Sequence, residues 1–199
     1  MIRCTAVASA CPEPAWPAGR LADTERALIK TVCEHGGIYE KIIEVANNDN
    51  CNLIVIGKRG PRKLERSFVD SITARVIGHS NKDVLVIPCN GSLGFNTIVL
   101  ATDGSKYSGT AIESALNFSK AYGSNLLVIS GVDGPAEFYA DAPKAVEDLI
   151  RKAKDFVEDV RKKAVAAGVN TSTYIGEGDA FEVIAKFAKK HNTDIIVIG

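Results

Sequence analysis

The chain has 199 residues, 46% of them hydrophobic, which is enough to bury one large core or two small ones. Its twenty-four basic and twenty-four acidic residues cancel, so no global field draws it onto nucleic acid or an anionic membrane, and neither is expected as a partner. Five cysteines (Cys4, Cys11, Cys33, Cys51, Cys89) form an odd set without CxxC spacing, which argues against a disulfide framework and a zinc site and fits a reducing cytoplasm.

Residues 1 to 28 receive no assignment, and their apolar patch is too short and weak for a signal peptide. No apolar run reaches the roughly 20 residues of a membrane span, so a cytoplasmic protein is expected. A short extended segment and a glycine turn lead into a helix with Tyr39, Ile42, Ile43 and Ala46 on one side, then into the strand "NLIVIG" ending at Gly57. The loop beyond carries Lys58, Arg59, Arg62, Lys63 and Arg66, which read equally well as phosphate ligands or as a solvated turn.

"DVLVIP" (83 to 88) is a strand ended by proline, "CNGSLGFN" (89 to 96) a linker, and "TIVLATDGS" (97 to 105) a strand breaking at a turn. Ser105 is the expected N-cap of a helix running to Tyr122, and "NLLVIS" is the next strand. The stretch "GVDGPAEFYADAP" reads as a crossover loop, followed by a helix over 143 to 167 that Gly168 stops. A further helix places Phe181, Ile184, Ala185 and Ala188 on one side, and the sequence ends in the strand "DIIVIG".

At an offset of 142 residues, 29 to 57 aligns with 171 to 199 without a gap, with identities at Thr31/Thr173, Gly36/Gly178, Glu40/Glu182, Ile42/Ile184, Ala46/Ala188, Asn50/Asn192 and the shared "IVIG". Glycine, glutamate and alanine in register favour duplication over chance agreement of apolar letters. From Thr97 strands and helices alternate, and the strands are continuous branched apolar runs. This pattern predicts an α/β fold with a doubly wound parallel sheet, whose ligands sit beyond the carboxyl ends of the strands.

These segments in this order resemble the universal stress protein (UspA) family, as a tandem member. "TIVLATDGSKYSGTAIESALNFSKAYGSNLLVIS" resembles the family's first strand, aspartate turn, first helix and second strand, and "GDAFEVIAKFAKKHNTDIIVIG" its third helix and fourth strand. "NLIVIGKRGPRKLERSFVDSITARVIGHSNKDVLVIP" resembles the fourth strand, nucleotide loop, last helix and fifth strand. The resemblance implies a UspA-like, adenine nucleotide alpha-hydrolase-like fold in two incomplete repeats. Residues 29 to 90 are the C-terminal half of the first repeat. Residues 97 to 199 are a second repeat without its nucleotide loop and last strand. A fragment of a longer tandem protein is the expectation, because a missing edge strand leaves a ladder unpaired. In an alternative mosaic arrangement, 57 to 88 would complete the sheet begun at Thr97.

The family's nucleotide signature is Gly-x2-Gly-x9-Gly-[Ser/Thr]. Gly57, Gly60 and Ser71 match it, whereas Asp70 replaces the third glycine. Glycines let backbone N–H groups approach oxyanions. A carboxylate there repels phosphate by about 1 kcal/mol or more unless Mg2+ or a lysine intervenes. The resemblance places Asp103 on the adenine side of the pocket, while a turn-forming aspartate is the local reading. It implies a stress-response module with weak or absent ATP or AMP binding, Mg2+ accompanying any bound ATP, that acts through dimerisation or partner binding. Strand 83 to 88 is the candidate for homodimer or inter-repeat pairing. The alternative is a nucleotide-hydrolysing enzyme of the same α/β superfamily, although no GxxxxGK[ST] pattern is present. His35, His79 and His191 have no partner at a catalytic spacing and read as surface residues, and Cys51 and Cys89 read as small apolar packing groups.

Overall fold

A computed structural model describes residues 3–8, 28–58, 72–88, 93–132 and 143–199. They fall into two units, Met1–Gly91 and Ser92–Gly199. The second unit carries β5 (Thr97–Ala101), α3 (Gly109–Tyr122), β6 (Asn125–Val132), α4 (Pro143–Ala166), β7 (Thr171–Glu177), α5 (Ala180–Lys190) and β8 (Ile195–Ile198). Its four strands are parallel in the order β7-β6-β5-β8. The chain thus steps outward from β5 to β7 and returns past its start to β8, which makes the β5/β8 boundary the topological switch point.

Alternation along β5 decides which helix covers which face. Ile98 and Leu100 point one way and pack with Leu126 and Val128 against Ala111, Ile112 and Ala115 of α3 and Val157, Val160 and Ala164 of α4. Val99 and Ala101 point the other way, and with Ile129 they meet Val183, Ile184 and Phe187 of α5. Both faces are covered, which is why these strands are apolar at every position instead of at every second one. Phe181, expected on the buried side of α5, is instead 79% exposed. It lies in the first turn, where neighbouring Ala180 already reaches the rim of the sheet at Gly131, so the covering stripe starts at Val183.

The first unit contains β1 (Arg3–Ala8), β2 (Leu28–Cys33), α1 (Ile38–Asn48), β3 (Leu53–Lys58), α2 (Ile72–His79) and β4 (Asp83–Pro88). β1 pairs parallel with β2, and β3 pairs parallel with β4. Residues 1 to 28 carry no assignment from sequence, yet Arg3–Ala8 is a strand in register with Leu28–Cys33. Arg3 faces Leu28 whereas Leu126 faces Thr171, so the first parallel crossover is 20 residues shorter than the second. A small core of Ala46, Ile54 and Val76 collects Tyr39, Ile42, Ile43, Cys51 and Val84, so Cys51 packs as a small apolar group.

The 142-residue offset holds in three dimensions. Helix α1 shifted by 142 covers the span of α5. Asn50 (φ 50°) and Asn192 (φ 47°) both take the left-handed conformation, and Gly36 (φ 136°) and Gly178 (φ 110°) both have positive φ. Each helix closes the same way: Cys51 N–H donates to the Ala46 carbonyl at 2.8 Å and Asn50 N–H to Asn47 at 3.1 Å, while Thr193 N–H donates to Ala188 at 3.0 Å and Asn192 N–H to Lys189 at 3.3 Å. This is a Schellman ending with asparagine as the left-handed residue. Identities that look arbitrary in sequence are therefore a glycine entry, a buried alanine and a helix stop. Asn192→Ala should cost about 1 kcal/mol, because alanine bears the left-handed penalty without asparagine's local hydrogen bonding, whereas Asn192→Gly should be close to neutral. Urea unfolding of the two variants is the check.

The mosaic arrangement is not adopted. The ladder partner of β4 is β3, and those of β5 are β6 and β8, so 83–88 is not in the sheet that Thr97 begins.

Candidate functional site

In a doubly wound sheet the strand ends beyond the switch point splay apart and leave a crevice. Asp103 follows β5 there, and Gly199 follows β8. Gly199 approaches α3 so closely that a Cβ on it would lie 2.5 Å from that of Ala111, in the first turn of the helix. First-turn amides of a helix have no intrahelical acceptor and carry its positive end, so the crevice floor favours negative charge.

The Asp103 carboxylate is wired into its own turn. Oδ1 accepts the Ser105 backbone N–H at 2.8 Å and the Ser108 hydroxyl at 2.8 Å, and the two serine hydroxyls lie 3.3 Å apart. Helix α3 starts later than expected as a result. Its N-cap is Ser108, not Ser105, and the Ser108 side chain donates to Asp103 in place of capping the helix. Ser105 Oγ accepts the Tyr107 N–H at 3.3 Å within the turn. Ser108 is fully buried although its sequence context gives no sign of it beyond the Asp-Gly-Ser-x-x-Ser spacing.

These bonds hold the Asp103 carboxyl below the usual carboxylate range, the Ser105 backbone N–H contributing most and the Ser108 hydroxyl next. A depressed carboxyl contributes stability above its unfolded pKa of about 3.9 and loses that contribution as pH falls through the folded value. The stability difference between the protein and Asp103→Asn should therefore be flat above about pH 5 and shrink below about pH 4. Chemical denaturation across pH 2.5–7 reads it, and a difference unchanged at the acid end would remove the carboxylate's role in the turn.

Of the four residues singled out by motif, two are described. Gly57 lies near the end of β3, opposite Ile87 of β4, with open space where a Cβ would stand. Gly60 and Ser71 lie outside the described residues, as do Asp70 and the basic residues Arg59, Arg62, Lys63 and Arg66. Gly57 lies in β3 of the first unit and Asp103 in the turn after β5 of the second. The residue beside the Asp103 crevice is Gly199, which the offset of 142 makes the counterpart of Gly57. Among the described residues no group of three or more His, Cys, Asp or Glu side chains converges as a metal site would require.

Two surface grooves lie elsewhere. One of about 290 Å³ opens at the amino ends of the strands between Asn125, Asn170, Thr171 and His191, and one of about 520 Å³ runs between α4 and β7 past Lys154, Glu158 and Tyr174. We place the candidate site at the crevice instead, because it lies at the switch point and joins strand ends, a helix N-terminus and a charged side chain. His191 is half-buried at the lip of the first groove, with its ring 4.3 Å from that of Phe187 and 5.5 Å from that of Tyr174. No helix among the described residues is long and apolar enough to cross a membrane.

A family pattern described as "Universal stress protein family" matches residues 10–88 and again 94–199. Among curated proteins, universal stress protein MJ0531 of Methanocaldococcus jannaschii is 31% identical over 117 residues, 55% of this chain and 67% of that protein. Universal stress protein MJ0577 of the same organism is 32% identical over 59 residues, 30% of this chain and 36% of its own length. Among solved structures, one from Pseudomonas aeruginosa UCBPP-PA14 superposes with a TM-score of 0.71 at 18% identity, over 98% of this chain and 70% of that one. A universal stress protein from Archaeoglobus fulgidus DSM 4304 gives 0.66 at 20% identity, over 92% of this chain and 63% of its own.

Proposed function

The chain belongs to the universal stress protein family, and from that premise we propose that it is a cytoplasmic stress-response module that binds adenine nucleotides weakly or not at all and acts through pairing and partners. One observation carries the reading: Oδ1 of Asp103, the residue placed at the adenine side by the family motif, is already bonded to Ser105 and Ser108. One oxygen of that carboxylate remains to receive an adenine amino group, so the residue works first as a turn and only second as a ligand. Asp70 in place of the signature's third glycine points the same way, because its charge opposes phosphate.

The residues fit an adenine nucleotide in part. Asp103 suits an exocyclic amine and the α3 N-terminus suits an anion, while the described residues supply no carboxylate cluster for Mg2+. Strand β4 is the proposed pairing element between copies. Equilibrium dialysis of ATP and AMP against the protein, with and without Mg2+, tests the binding half of this reading. The expected dissociation constant is weaker than about 100 µM, corresponding to under about 5.5 kcal/mol of binding. Micromolar binding that disappears in Asp103→Ala would overturn it and make the module a nucleotide sensor.

A further inference from the structure

The internal duplication sets two marginal strands side by side for comparison. Shifted by 142 residues, β2 (Leu28–Cys33) falls on β7 (Thr171–Glu177), and among the described residues each has a parallel neighbour on one side, β1 for β2 and β6 for β7. In β2 the edge is guarded. Lys30 stands on it and reaches Asp49 at the end of α1, with Nζ 3.0 Å from Oδ1. A lysine so placed discourages a further strand from adding to the sheet. In β7 the counterpart of Lys30 is Ser172 and that of Asp49 is His191, so this guard is missing. Thr171–Glu177 holds no lysine and no proline, while Thr171, Thr173, Tyr174 and Ile175 are residues that favour strands. The chain enters β7 from α4 and leaves it into α5, on the far side of the sheet from β8, so the place of β7 is set by internal connections.

We infer that β7 pairs antiparallel with β7 of a second copy of this chain, about a twofold axis at Tyr174. Self-complementarity of the strand picks out this occupant. The register sets Tyr174 opposite Tyr174, Thr173 opposite Ile175, Ser172 opposite Gly176 and Thr171 opposite Glu177. Aromatic meets aromatic, β-branched meets β-branched, and the single charge of the strand faces a hydroxyl. Tyr174 is 36% exposed, and its ring is already held against those of Phe187 at 4.7 Å and His191 at 5.5 Å. Little side-chain freedom is left to lose on pairing.

The helix beside the strand obeys the same axis. Helix α4 packs over β6 and β7, and the groove of about 520 Å³ between α4 and β7 is lined by Thr173, Tyr174 and Ile175 of the strand and by Lys154, Asp155, Val157 and Glu158 of the helix. The strand residues centre on Tyr174 and the helix residues on Phe156. A twofold at Tyr174 therefore carries Lys154 of each copy towards Glu158 of the other, and Asp155 towards Val157. Opposite charges meet at both ends of the groove, and the second copy's strand and helix close it. This surface is separate from β4, which belongs to the other unit.

The full chain tests the inference by cross-linking and by mass. Directly opposed residues of antiparallel strands lie within the Cα separation that a disulfide spans. On mild oxidation Tyr174→Cys should give a covalent dimer whose peptide map joins residue 174 to residue 174, and not to any of the five native cysteines. Tyr174→Lys opposes two ammonium groups on the axis, so sedimentation equilibrium should show self-association weakened by about tenfold or more, with circular dichroism unchanged. Lys154→Glu should weaken it as well, and Lys154→Glu combined with Glu158→Lys should restore it by exchanging the two ends of one pair. Leu85→Lys in β4 should leave the 174 to 174 bond forming as before, which separates this contact from the pairing proposed for β4. Absence of that bond, or self-association indifferent to both Tyr174→Lys and Lys154→Glu, overturns the inference and leaves the β4 reading standing. A 174 to 174 bond that ceases to form in Leu85→Lys overturns it too, because the contact would then depend on β4.

Discussion

Leu100→Ala should lower the unfolding free energy of the Ser92–Gly199 unit by about 3 kcal/mol, within the 2–5 kcal/mol range for deleting a buried leucine. The expectation follows from where Leu100 lies. It is fully buried on β5, an inner strand with neighbours on both sides, and its side chain enters the cluster that α3 and α4 cover together. Collapse around the lost methyl groups would require two helices and three strands to shift in concert, so most of the cavity should remain. Differential scanning calorimetry should show the transition of this unit about 10–15 °C lower. The first unit, whose buried cluster among the described residues is Ala46, Ile54 and Val76, should keep its own transition. Ile198→Ala in the same sheet should cost under about 1 kcal/mol, because that side chain is already largely in water. Equal losses from Leu100 and Ile198 would mean that the layering described for β5 is wrong.

Much of this architecture was legible in the sequence, for physical reasons that differ from element to element. The strands "TIVLA" and "NLLVIS" announced themselves because a strand covered on both faces must be apolar at every position. The stop of α3 at Tyr122 followed from Gly123, which takes φ 67°, and the stop of α4 from Gly168 at φ 74°. Repetition was legible as identities at glycine, alanine and asparagine, and the structure shows each doing the same backbone task twice. Helix starts were less legible. Ser105 and Ser108 are both competent caps, and only the carboxylate of Asp103, which draws both into one turn, decides that α3 begins at Gly109. Strand β1 was missed because six residues of mixed character gain their identity from a partner 25 positions away, and no local pattern encodes that pairing. At the candidate site, the motif points to Gly57 in β3 of the first unit and Asp103 in the turn after β5 of the second. The closeness of Gly199 to Ala111 is a tertiary contact between chain segments far apart in sequence, and spacing alone could not reveal it.

Gly104→Ala should be strongly destabilising, at roughly 2–4 kcal/mol from backbone strain and a clash together. Gly104 links Asp103 to Ser105 with φ 75°, a conformation that costs an L-residue about 1–2 kcal/mol. A Cβ there would also lie 2.9 Å from Cγ of Phe156, a ring of α4 packed against the main core. These costs can be separated. Phe156→Leu removes the ring and should carry its own loss, but in that background the added methyl meets a smaller side chain, so Gly104→Ala should then cost only its conformational share. A double-mutant cycle in urea should accordingly give a coupling of about 1 kcal/mol or more. The turn also has to keep Ser105 N–H and the Ser108 hydroxyl on the Asp103 carboxylate. Gly104→Ala should therefore weaken the acid-range pH dependence that Asp103 confers, whereas Phe156→Leu alone should leave it in place. If Gly104→Ala lowers stability yet preserves that pH dependence, the turn tolerates the new residue intact and the cost lies wholly in the contact with α4.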